Sequence, residues 1–101
     1  MTPRATVSIN GNTLTLSGVL DYESVLDVDM QGQQWLEGSA PAECILDLEM
    51  VTYSSSVGIA VLLGWLRVAQ QQQKILHIQQ LPATMTALAK VGGLDELLAK
   101  K

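Results

Sequence analysis

Val7 and Ile9 alternate with polar neighbours, and Leu14 and Leu16 do the same, within "ATVSINGNTLTLSG" from Ala5 to Gly18. A period of two marks a strand with one wet face. Asn10-Gly11 lies between the runs and accepts the positive φ of a tight turn, so the stretch predicts a hairpin. From Asp21 to about Leu36 the period lengthens, with Val25, Val28, Trp35 and Leu36 at near-helical spacing. Asp21 offers a capping carboxylate and Glu23 adds charge suited to the positive helix end. Gly38-Ser39-Ala40-Pro41 breaks the pattern. "ECILDL", Glu43 to Leu48, reads as a short central strand, and "KILHIQ", Lys74 to Gln79, as another. Between them a second helix starts near Ser55 or Ser56 and runs to about Gln72, with Gln70 to Gln73 as its solvated end. Pro82 suits the first turn of a third helix ended by Gly92-Gly93, and Leu94, Leu97 and Leu98 form a short last one. The predicted order is β-β-α-β-α-β-α-α, an α/β fold. Helices between the later strands imply right-handed crossovers and parallel pairing within a mixed sheet.

The second helix departs from the pattern of a surface helix. Ile59, Leu62, Leu63, Leu66 and Ala69 make one apolar stripe, which should pack on the sheet. Val57, Val61, Gly64, Trp65 and Val68 make a second at similar spacing. One stripe suffices for a helix lying on a sheet, so the second is expected to meet a partner, with neighbouring helices as the plainer alternative. Three serines, Ser54, Ser55 and Ser56, precede the helix. The simplest role for one of them is an N-cap. Ser56 is also a candidate phosphorylation site, since a phosphate there would suit the helix dipole and set negative charge beside Val57.

Composition narrows the functional classes. A chain of 101 residues fits one domain, and 48% hydrophobic against 16% charged residues suffices for a packed core. The net charge is −4, and Arg4, Arg67, Lys74, Lys90, Lys100 and Lys101 are scattered, which argues against nucleic-acid binding. Asp21, Glu23, Asp27 and Asp29 form an acidic run, read as a solvated face or as a match for a basic partner groove. Cys44 is the single cysteine, so no internal disulfide is expected, and a reducing compartment suits it. The apolar run Ile59 to Leu63 is too short to cross a bilayer, and the amino terminus lacks an apolar signal segment. These features predict a soluble cytoplasmic protein without membrane insertion. His77, the single histidine, has no carboxylate near it in sequence, and neither a nucleophile elbow nor a phosphate loop occurs. No enzyme activity, cofactor or metal is expected.

"LTLSGVLD", Leu14 to Asp21, and "CILDLEMVTYSSSVGIAVLLGWLRVAQQQQKILHIQQ", Cys44 to Gln80, resemble STAS domains, and the likeness spans nearly the whole chain. The resemblance implies a mixed sheet with helices packed on one side and a protein-binding, non-enzymatic role, the chain being one such domain over residues 1–101. One group of single-domain members is the anti-sigma factor antagonists, phosphorylated by an anti-sigma kinase at an Asp-Ser-Ser/Thr-Gly motif. Here Ser55 stands at the Asp, Ser56 at the phosphorylated hydroxyl, Val57 at the next small residue and Gly58 at the Gly. The other group is the STAS subunit of the Mla phospholipid-transport ABC system, similar in length, opening hairpin and apolar second helix. That likeness implies docking on the cytoplasmic transporter ATPase, peripheral to the inner membrane, with Ser56 near the contact, to which the outward stripe adds Val57, Val61, Trp65 and Val68. It is ranked first, the kinase-switched antagonist second, and a homodimer through the same helix third.

Overall fold

The structure, a computed structural model, describes residues 5–83 and 85–87. Strands β1 (Thr6–Asn10) and β2 (Thr13–Leu20) form the expected hairpin. Its two-residue loop is Gly11-Asn12, and Gly11 adopts φ +62°, the left-handed value a tight hairpin turn requires and glycine supplies without strain. Helix α1 (Val25–Glu37) and strand β3 (Glu43–Asp47) follow, then β4 (Val51–Ser54), α2 (Ser56–Gln71) and β5 (Ile75–Gln79). β1 is antiparallel to β2, and the other pairings are parallel, in the order β1-β2-β3-β5. The sheet is therefore mixed, as expected.

Two boundaries differ from the sequence reading. β4 was not anticipated: it pairs with the distal half of β2, Leu20 opposite Ser54. Ile45 donates to the Asn12 carbonyl and Gly18 to the Met50 carbonyl. Alternate residues of a strand turn their N–H and C=O to the same side, so β4 prolongs β3 along one edge of β2. The register shifts at Gly18/Val19, where Gly18 takes φ +89°. A four-residue strand with exposed Thr52 and Tyr53 carries too little apolar signal to be seen by periodicity. The second difference is that α1 starts at Val25 rather than Asp21. Asp21 still serves the start: its Oδ1 accepts from the Glu23 and Ser24 N–H groups at 3.0 and 3.1 Å, and its carbonyl accepts from the Val25 N–H. The carboxylate thus shapes a turn ahead of the helix instead of capping it directly.

The even-numbered residues of β2, β3 and β5 face the helices, and Leu14, Leu16, Cys44, Leu46 and Leu76 are buried there. Against them pack Val28, Trp35 and Leu36 of α1 and Ile59, Leu62, Trp65 and Ala69 of α2, in one core. The odd-numbered residues, such as Thr13, Thr15, Glu43 and Ile75, lie on the opposite face, which no helix among the described residues covers. Ala83 and Met85–Ala87 are helical, in keeping with a helix begun at Pro82, and Met85 is fully buried. The remainder of that helix, its Gly92-Gly93 stop and the last helix around Leu94 to Leu98 lie outside the described residues.

Candidate partner-binding site

The sheet delivers two turns to one end: the β2–α1 turn, Asp21 to Ser24, and the β4–α2 junction at Ser54 to Ser56. They are tied together, because the Leu20 carbonyl accepts from the Ser55 N–H at 3.0 Å and from the Ser55 Oγ at 3.4 Å. The three serines have three distinct fates. Ser54 is buried, and its Oγ donates to the Ser55 carbonyl at 2.8 Å. Ser55 is the N-cap of α2, its backbone extended at φ −82° and ψ −179° and its Oγ accepting from the Val57 N–H at 3.3 Å. Ser56 is exposed, the first helical residue, and its hydroxyl bonds to none of the described residues. A capping hydroxyl satisfies backbone donors the helix leaves open, and among the described residues the Ser56 hydroxyl has no such task.

Gly58 brings the helix start close to the sheet. A Cβ there would collide with Ser54 Oγ and press on Leu20 Cδ1 and Met85 Cε at 3.2 and 3.3 Å. The bare glycine lets the amino end of α2 settle against β2 and holds Ser56 and the half-buried Val57 at the surface.

The predicted outward stripe of α2 needs correction. Trp65 is 1% exposed and Val61 is buried. The Trp65 indole lies on the backbone of Gly32 in α1, where a Cβ would occupy the space of its ring. Its Nε1 donates to Asp29 Oδ1 at 3.0 Å and to the Asp29 carbonyl at 3.2 Å. The plainer alternative prevails: α1 covers Trp65, and Val61 is part of the monomer's core. Gly58, Val61, Leu62, Trp65 and Ala69 form one continuous buried band at helical spacing. Conversely Leu63 and Leu66, assigned to the sheet-facing stripe, are only partly buried. Val57, Gly64 and Val68 retain partial exposure beside exposed Ala60, and among the described residues nothing lies within 4 Å of the position a Gly64 Cβ would take. The outward face of α2 is thus low and narrow, running from Ser56 past Gly64 to Val68.

Cys44 is buried in β3, its Sγ directed at the Ile75 carbonyl at 3.5 Å. Burial raises its thiol pKa, and Lys74 partly offsets this. His77 does meet a carboxylate, through the sheet rather than the sequence: its Nε2 lies 3.2 Å from Glu43 Oε1 across β5 and β3, on the uncovered face. A surface pair of this kind contributes about 0–1 kcal/mol and makes no catalytic constellation. Among the described residues no group of three or more His, Cys, Asp or Glu is arranged to hold a metal, and no helix is long and apolar enough to cross a membrane.

Comparison with known proteins agrees with this architecture. A family profile described as "Mlab, STAS domain" matches residues 5–99. A chain of the Acinetobacter MlaFEDB complex in an ATP-bound conformation is 26% identical, with a TM-score of 0.79 over 93% of this chain and 97% of that one. The anti-sigma factor antagonist SpoIIAA in its unphosphorylated form is 17% identical, with a TM-score of 0.71 over 91% of this chain and 83% of that one. An anti-sigma factor antagonist from Mycobacterium paratuberculosis is 20% identical, with a TM-score of 0.67 over 92% and 80%. The two antagonists share the fold. A search of curated protein sequences returned no match. With the profile covering almost its whole length, the chain belongs to the STAS domain family.

Proposed function

We propose that this chain is a single-domain, non-enzymatic adaptor that binds the cytoplasmic ATPase of an ABC transporter for phospholipids and is held at the inner membrane through it. The observation that carries this reading is the near end-to-end match, 93% of this chain on 97% of the other, to a chain of the MlaFEDB complex. The local geometry supports it. Ser56 presents an exposed hydroxyl unbonded among the described residues, and Val57, Ala60, Gly64 and Val68 continue from it as a shallow surface against which another protein can pack closely. The contact expected here is Ser56, Val57 and Val68, without the covered Val61 and Trp65. Co-expression of the chain with the transporter ATPase and permease tests the reading. A stoichiometric complex is expected, and Ser56→Arg should release the chain while leaving it folded. Purification of the ATPase without it would refute the adaptor role.

A second reading has its own observation. Ser56 is the one hydroxyl of the three that is exposed and unbonded, and it opens a helix of 16 residues, whose positive end favours a phosphate. An anti-sigma factor antagonist switched by a kinase at Ser56 would use the same site. Incubation with the anti-sigma kinase and ATP decides between them by mass spectrometry. A phosphate on Ser56 would favour the antagonist, and an unmodified chain the adaptor.

A further inference from the structure

The outward side of α1 carries apolar side chains that the fold does not use. Leu26 and Met30 are 73% and 62% exposed, one helical turn apart, and Tyr22 in the preceding turn is 76% exposed. The three recur at every fourth residue as a ridge, and within the helix Leu26 and Met30 stand about 6 Å apart along the axis. A solvent-facing helix surface ordinarily carries charged and polar groups at such positions.

The charges carried by α1 and the turn before it have one sign. Residues 21 to 37 include Asp21, Glu23, Asp27, Asp29 and Glu37 and no lysine or arginine. Asp29 is engaged by Trp65 and Gln33. Asp27 is exposed beside Leu26, and its carboxylate meets no donor or cation among the described residues. A second copy of the chain would set acid against acid, and a membrane of anionic lipids would repel the same border. A protein groove with an apolar floor and a lysine or arginine rim satisfies both features, in the manner of a helix laid into a groove. The ridge also adjoins the Ser56 end, because Tyr22 lies two residues beyond Leu20, whose carbonyl holds Ser55.

We propose that the Tyr22–Leu26–Met30 ridge of α1 is a second half of the ATPase contact, received by an apolar groove with a basic rim, so that the partner grips this chain along α1 as well as at Ser56. The inference rests on the adaptor reading above. It is tested with the purified chain and its cognate ATPase, measuring affinity at low salt and at about 1 M salt, where screening acts within about 3 Å. Leu26→Glu with Met30→Glu should weaken binding about tenfold or more at either salt, the loss typical of central apolar anchors. Asp27→Lys, which leaves the ridge in place, should weaken it several-fold at low salt only. The substituted side chains are exposed, and circular dichroism verifies the fold of each variant. If wild-type binding occurs and is sensitive to Ser56→Arg but stays within about twofold in the ridge variants, the ridge claim fails alone. If the wild-type chain does not bind the ATPase, the adaptor reading fails and takes this claim with it. Self-association of the wild-type chain abolished by the double variant, or its sedimentation with phosphatidylglycerol vesicles, would assign the ridge elsewhere and overturn the proposal.

Discussion

Three consecutive serines show how far adjacent, chemically identical side chains diverge once a backbone is fixed. Ser55 accepts from the Val57 N–H as N-cap, so Ser55→Ala should cost about 0.5–2 kcal/mol in urea unfolding. Ser56 has no such bond, and Ser56→Ala should leave stability within about 0.5 kcal/mol of wild type. Equal losses in the two variants would show that the hydroxyls are not divided between fold and function. Cys44 offers a second test at this scale. Burial raises its pKa above the ordinary value of 9.0, so the folded state keeps the proton that the unfolded chain releases first. This contribution to stability is full below the unfolded pKa and is lost as pH rises through the folded one. The thiol should therefore react slowly with alkylating reagents at pH 8 until the chain is unfolded. Rapid labelling of the native protein would contradict the burial.

Elements were legible from the sequence where their pattern was long. The hairpin, β3, β5 and both helices announce themselves through period two or period 3.6, because one face of each is buried. β4 escaped because its four residues alternate poorly and its identity depends on pairing with β2, a tertiary fact. The role of Trp65 escaped for a related reason. Its spacing reveals an apolar face but not what covers it, and the cover is glycine: Gly32 admits the indole to the backbone of α1. A glycine within an otherwise helical pattern was the one available signal. Gly32→Ala should force the indole away and destabilise the chain by about 1–3 kcal/mol, with a shift in Trp65 fluorescence as the Asp29 bond loosens. An unchanged spectrum and stability would show that the helices can separate without penalty. The carboxyl end of α2 makes the converse case. Gln73 adopts φ +59°, with its N–H on the Gln70 carbonyl and the Lys74 N–H on the Ala69 carbonyl, the pattern of a Schellman stop. Glycine carries no penalty there, so Gln73→Gly should raise stability by about 0.5–1 kcal/mol in thermal unfolding, and a loss would argue against the left-handed cap.

At the scale of the whole molecule, the sheet buries one face under α1 and α2 and brings two turns to one end, where Ser56 faces outward. The three serines were legible as a strand–helix junction, because polar residues directly precede a long apolar helical run. The sequence reading placed too much of the expected contact along the helix, because Val61 and Trp65 of the outward stripe join Leu62 and Ala69 in one buried band. The proposed contact draws on the Ser56 end, the low strip past Gly64 and the ridge of α1. The most direct test is site-directed photocrosslinking in a Cys44→Ala background, with one cysteine introduced at Ser56 or, as control, at Thr15 on the uncovered sheet face. The adaptor account predicts an adduct with the transporter ATPase from position 56 and none from position 15. Efficient crosslinking from position 15, with none from position 56, would contradict it.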